Sequence, residues 1–195
     1  MIYTVGHSNH PIERFTALLQ QHGIGAVADV RSTPYSRFNP QFNREALKAA
    51  LASVGIQHVF LGEELGARSK DPACYEGDRV SYAKLAASQP FRRGLERLLT
   101  GMHEHRIALM CAEREPLECH RTILVARELE RAGVPVTHIL QDGSLEQHRH
   151  AMERLAASLK LTGTDLFRSR DDLVEEAYEA QAARIAYVKA GSARR

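Results

Sequence analysis

Residues 106–140 read RIALMCAEREPLECHRTILVARELERAGVPVTHIL, and the order of patterns in this stretch decides the fold class. A short apolar run, Ile107 to Cys111, gives way to a polar loop. Pro116 then opens a helical pattern that lasts to Ala132, Gly133 stops it, and a second short apolar run follows from Val136 to Leu140. Runs this short favour strand over buried helix. Strand, crossover helix, strand is the unit from which parallel sheets are built.

The same pattern extends towards the N-terminus. Ile2 to Val5, Gly25 to Asp29 and Gln57 to Leu61 read as three more strands. A helix begins near Pro11, where a missing N–H costs nothing in the opening turn, and carries Ile12, Phe15, Leu18 and Leu19 on one face before Gly23. Asn43 is suited to cap a second helix, whose Leu47, Ala50, Leu51 and Val54 form a stripe ending at Gly55. A third, Phe91 to His103, leads into Ile107. Between Gly62 and Pro90 periodicity fails, and loops of that length are commonly binding loops or lids. From Leu145 the chain reads as helical, with Met152, Leu155, Ala156 and Leu159 on one face. After Gly163 a last helix carries Val174, Ala177, Tyr178, Gln181, Ile185 and Val188 before a frayed GSARR end. The reading predicts a single three-layer α/β domain with a mostly parallel sheet of about five strands. Residues 1–145 form its core, and residues 146–195 form a C-terminal helical extension.

Composition excludes several classes. A chain of 195 residues buries roughly 70% of its unfolded surface without disulfides or metal. With 44% hydrophobic and 26% charged residues it is neither disordered nor repetitive. A formal charge of +2 supplies no broad field for a nucleic-acid backbone, so an anion site must be local. No apolar run approaches the ~18 residues of a membrane span, so no membrane partner is expected. MIYTVGHS has no basic leader and reads as a first strand. Three cysteines suit a reducing, cytoplasmic setting better than a disulfide framework. Nothing in the sequence specifies an oligomeric state.

In open parallel sheets the ligand crevice lies beyond the carboxyl ends of the strands, where helix N-termini favour anions. Four of the five strand ends here turn polar: Gly6-His7-Ser8-Asn9, then Asp29-Val30-Arg31-Ser32 running on to Arg37, then Leu61 through Arg68, then Cys111 through Arg121. Structural loops use Gly, Pro, Asn and Ser, but not repeated His, Arg and Cys. The pattern therefore predicts a site for a small anionic ligand.

Within CAEREPLECHR, Cys119 is expected in the first turn of the helix, where the dipole, His120 and Arg121 favour thiolate over thiol. It is the candidate nucleophile or redox thiol; its alternative is a cysteine used as a small apolar residue. Cys111 is a resolving or supporting thiol, or equally a core residue. Glu113 is a candidate general base, or else an ion-pair partner of Arg114. Asp29 and Arg31, two apart on an extended strand end, share one side, so the arginine can bind an oxyanion while the carboxylate orients it or acts as a base. Alternatively the two form a salt bridge that pins the loop. Arg37 and Arg121 are further charge binders. His7 is a candidate acid/base and Ser8 a ligand hydroxyl, with Gly6 and Ser32 beside the ligand, although a packed histidine and a capping serine explain this pair almost as well. The signature of a phosphatase or sulfurtransferase cradle fails, because the position that should hold its arginine is Leu117 after Cys111 and Val125 after Cys119. A dithiol pair is permitted by the intervening loop. Zinc held by Cys111, Cys119, His120 and His7 is the alternative that spacing disfavours, since it matches no common pattern and adjacent Cys119 and His120 diverge on a helix; no cofactor is expected. His103, His105, His148 and His150 read as solvated, and Cys74 has no basic neighbours.

With TVGHS at 4–8, DVRSTPYSRFNPQFN at 29–43, LGEELG at 61–66 and CAEREPLECHR at 111–121, the chain resembles, over residues 1–145, the bacterial family known as domain of unknown function 488. The resemblance implies an α/β fold and points to Cys111 and Cys119 as functional; it names no reaction. Where similar proteins favour a second glycine in the third motif, this chain has Glu63. Thr164 to Phe167 looks like the tail of a peptide that docks on DNA sliding clamps, with Gly163 in place of the usual glutamine, or it simply packs on the body. The expected function is a thiol-dependent enzyme acting on a small or nucleotide-like anion. The alternative is a non-catalytic module that binds a nucleotide or a nucleic-acid end.

Overall fold

The structure, a computed structural model, describes residues 1–161, 163 and 168–189. The GSARR end and the clamp-type segment at 164–167 lie outside the described residues. The chain runs β1 (Ile2–Gly6), α1 (Ile12–Gln21), β2 (Ala26–Asp29), α2 (Arg44–Ser53), β3 (Gln57–Phe60), α3 (Gly62–Leu65), β4 (Tyr75–Glu76), β5 (Arg79–Val80), α4 (Tyr82–Ala87), α5 (Gln89–Gly101) and β6 (Ile107–Cys111). It continues through a π-helical segment, Arg121–Ala126, into α6 (Arg127–Arg131), β7 (Val136–Ile139), β8 (Leu145–Gln147), α7 (His148–Ser158) and α8 (Arg170–Ile185).

Six strands form the central sheet in the order β3-β2-β6-β1-β7-β8, all parallel except β8, which runs antiparallel to β7. Strand alternation sorts side chains into two cores and so makes three layers. Tyr3, Val5, Val27, Ala108 and Met110 pack with Phe15, Leu19, Leu47 and Leu51 of α1 and α2 on one face. Ile2, Ala26, Ala28, Ile107 and Leu109 pack with Leu65, Phe91 and Leu98 on the other, where Met152, Leu155, Ala177 and Tyr178 of the C-terminal helices join the same core. Because five strands run parallel, their carboxyl ends emerge along one edge.

Several expectations change. Leu145–Gln147 is a sixth, edge strand and not the start of a helix, because Gly143 (φ +94°) and the Asp142 carboxylate, which accepts the Ser144 N–H at 2.9 Å, turn the chain back onto β7. The segment between Gly62 and Pro90 is structured, holding α3, the β4–β5 hairpin and α4. Asn43 precedes α2 without capping it, since its Oδ1 accepts the Ser36 N–H at 2.7 Å. His148 is buried, not solvated. No helix among the described residues is long and apolar enough to cross a membrane.

Candidate functional site

At the carboxyl edge of the sheet lies a cavity of about 390 Å³, lined among others by Arg31 and Ser32 after β2, Cys111 at the end of β6 and Glu113 beyond it, and Cys119 and His120. Its floor is set by a close backbone crossing. A Cβ at Gly6 would stand 1.9 Å from the Glu113 carbonyl oxygen, so only glycine lets the loop after β6 pass over β1. Beyond that crossing the His7 and Ser8 N–H groups donate to the Cys111 and Ala112 carbonyls, both at 2.9 Å. Arg121, 0% exposed, clamps the loop from below, donating to the Glu113 carbonyl at 2.8 Å and the Arg114 carbonyl at 3.4 Å. Its Nε has no partner, and no carboxylate among the described residues pairs with this buried charge.

Cys119 is not in a first helical turn. Pro116–Glu118 make a tight turn and Cys119 is extended (φ −133°, ψ 140°). It therefore behaves as a helix cap: its carbonyl accepts the Thr122 and Ile123 N–H groups at 3.1 Å, and its Sγ accepts the Arg121 N–H at 3.4 Å. That geometry turns the sulfur towards Cys111 and His120. The Val30 carbonyl lies 3.0 Å from His120 Nε2 and fixes a proton there, so Nδ1 faces the two sulfurs, 3.7 Å from Cys111 and 3.8 Å from Cys119. Glu113 Oε2 lies 3.0 Å from the Cys119 sulfur.

Charge separates the two thiols. Burial alone would raise the Cys119 pKa, but a hydrogen bond from Cys111 and the charges of Arg121 and His120 bring it well below an ordinary thiol. Cys111 moves well above, because of that same hydrogen bond to Cys119 and then burial. His120 opposes its own burial and is raised by the adjoining thiolate. Burial and the Cys119 charge raise Glu113. These shifts favour the thiolate at Cys119 over the thiol at Cys111, and favour the proton-bearing forms of His120 and Glu113.

Asp29 and Arg31 form the ion pair rather than a free anion clamp. Arg31 Nε and NH2 donate to the two Asp29 oxygens at 2.9 and 2.6 Å, and NH2 also reaches the Phe42 carbonyl at 2.9 Å. Arg31 NH1 lies 3.3 Å from His7 Nε2, while His7 Nδ1 faces the Ser8 carbonyl at 2.8 Å and the ring stacks on Phe42. Burial holds His7 down at about 4, so it is a neutral acceptor for Arg31 near pH 7. Burial would raise Asp29, but Arg31 and His58 hold it below the usual carboxylate range. Arg31 and Ser32 line the cavity; Gly6, His7, Ser8 and Arg121 lie behind it. Arg37 is exposed, its guanidinium over the Phe38 ring, and does not line it. Residues not singled out from sequence also face the cavity: Tyr35, Arg68, Tyr82 and Tyr187. Only Arg68 had a signal, as the basic end of the strand-end segment after β3.

Cys111, Cys119 and His120 bring their donor atoms within 4.8 Å of one another. The expected divergence of Cys119 and His120 does not occur, because Cys119 is extended rather than helical. Two sulfurs and an imidazole whose far nitrogen meets a carbonyl are donors of the kind that hold a zinc-class ion; Glu113, which approaches the Cys119 sulfur, is not part of this cluster.

A family model described as Domain of unknown function DUF488 matches residues 11–127. No curated protein matches the chain, and no solved structure does.

Proposed function

Because the chain belongs to the DUF488 family, whose description assigns no reaction, we propose a function from the chemistry of the site itself: a thiol-dependent enzyme acting on a small anionic substrate, with Cys119 as nucleophile. The observation that carries this is the Cys119 sulfur, which faces the Arg121 N–H and His120 Nδ1 at the wall of a cavity. A nucleophile, a histidine and a third group orienting that histidine, here the Val30 carbonyl, is the arrangement that activates cysteine. In the first step the thiolate bonds to the electrophilic atom of the substrate, and the leaving group departs with the proton of Glu113. In the second, Glu113 takes a proton from water, which displaces the sulfur and regenerates thiolate and carboxylic acid. Cys111 supports the thiolate as a hydrogen-bond donor, and the buried Arg121 charge keeps the anion from protonating.

Limiting iodoacetamide at about pH 7, followed by peptide mapping, tests the proposal. Cys119 should be labelled first, ahead of Cys111 and Cys74, and Arg121→Met should slow it. Equal sluggishness of Cys111 and Cys119 would end the thiol reading. The mutual approach of the two sulfurs and His120 supports a second reading, a Cys2His metal centre. Stoichiometric zinc or iron in protein purified without chelator, lost in Cys111→Ser, would put that reading first.

A further inference from the structure

The cavity beside the thiols shares Ser32, Tyr35 and Arg68 with a second one of about 550 Å³, whose walls also carry Arg44, Lys70, Ser69 and Ser88. Two arginines on these walls stack on aromatic rings. Arg44 lies 4.5 Å from the centroid of the Phe60 ring and Arg68 lies 4.8 Å from that of Tyr187. Among the described residues neither guanidinium, nor the Lys70 ammonium, meets a carboxylate. Elsewhere Arg31, Arg97, Arg127 and Arg154 are each spent on one. Stacking holds a guanidinium by its face and leaves its edge N–H groups free for an oxyanion.

The hydroxyls point the same way. Ser32, Ser69 and Ser88 each accept a backbone N–H, from Arg68, Asp71 and Phe91, so each retains an O–H to donate. Three acids also line these walls: Glu64 pairs with Arg97, whereas Glu63 and Asp71, the latter accepting the Ala73 N–H, are exposed and can turn to solvent.

We propose that this second cavity is a phosphate-monoester site. The edges of Arg44 and Arg68, with Lys70 and the serine hydroxyls, grip the phosphate, and the organic part extends past Ser32 and Tyr35 to Cys119. Two forks, an ammonium and three hydroxyls outnumber what the two oxygens of a carboxylate can accept and match a tetrahedral dianion. The reacting end of this ligand rests on the thiol reading; the phosphate clamp does not.

Calorimetric titration of the full chain with inorganic phosphate, ribose 5-phosphate, adenosine 5′-monophosphate and adenosine tests it. At least one ester should bind more tightly than phosphate and slow iodoacetamide labelling of Cys119, while adenosine binds no better than buffer. Arg44→Gln and Arg68→Gln, each with an unchanged unfolding transition, should each weaken the ester by about tenfold, and Cys119→Ser should leave binding intact. No binding of either ester, or folded arginine variants that bind as the parent does, would overturn the site. Phosphate binding as tightly as both esters would overturn its extension to the thiol. Ester binding alongside an unreactive Cys119 would sink the thiol reading and leave the clamp standing; a reactive Cys119 with no ester binding would do the reverse.

Discussion

A single methyl group at position 6 would collide with the carbonyl that the loop after β6 lays across β1. Gly6→Ala should therefore lower stability by about 3 kcal/mol, the scale of a severe overpacking strain. It should also slow Cys119 labelling, because the displaced loop carries Glu113 and the Arg121 contacts with it. Urea unfolding and the labelling rate check both; a variant as stable and as reactive as the parent would show that the loop yields freely. Residue chemistry was only partly legible in the sequence. Cys119, Cys111, His120 and Glu113 could be picked out because they are packed into eleven residues. The pairing of Arg31 with Asp29 was one of the two readings their spacing offered, whereas its contacts to Phe42 and His7 depend on residues brought beside it only by folding. Arg44 carried no signal at all, because what frees its edge is a phenylalanine sixteen positions away.

Elements long enough to repeat a period were readable; the rest were not. The parallel strands and α1, α2 and α5 follow apolar spacing, whereas α3 has four residues and β4 and β5 have two each, too few for a period to show. The misread β8 matters more, because its hairpin carries the chain into α7 and so places a polar chain inside the protein. Thr4 Oγ1 meets His138 Nδ1 at 2.7 Å, His138 Nε2 meets His148 Nδ1 at 3.0 Å, and His148 Nε2 meets the Tyr178 hydroxyl of α8. Burial holds His148 at about 4 and lowers His138 as well; His7 stands at about 4 for the same reason. In the unfolded chain these groups bind a proton near 6.5, so the unfolded state gains protons first as pH falls. Stability is complete above that value and is lost between it and about 4, by roughly 3 kcal/mol for each of His7 and His148 at the bottom of the window. His120, raised in the fold, works in the opposite sense, and Asp29, lowered in the fold, keeps its contribution throughout this window and loses it only as pH falls below the usual carboxylate range. The urea midpoint should fall between about pH 7 and about pH 5, and His148→Gln, whatever its absolute stability, should flatten that slope. A midpoint indifferent to pH would mean that these rings take up protons in the fold as readily as in the unfolded chain.

At the scale of the molecule, the C-terminal helices are part of the body. Ala177, Tyr178 and Ala182 belong to the core that holds Cys111 and Cys119, and Gln181 donates to the Leu117 carbonyl at 2.7 Å, next to the turn that presents Cys119. The last described strand-like contact, Val188 against Arg79, brings Tyr187 to the cavity wall. A chain ending at Leu161 should expose that apolar surface, bind a hydrophobic dye and lose its cooperative thermal transition. A truncated chain with an unaltered transition and unaltered Cys119 labelling would show α8 to be an independent appendage. The apolar stripe of this extension was visible in the sequence, but its partner was not, because the partner is the far face of a sheet. The order of strands has a further consequence. β1 lies between β6 and β7, so this strand waits for partners more than a hundred residues further along the chain. Until those partners arrive the sheet has no centre, so the crevice at its edge, and with it the separation of the two thiols, is assembled only late in folding.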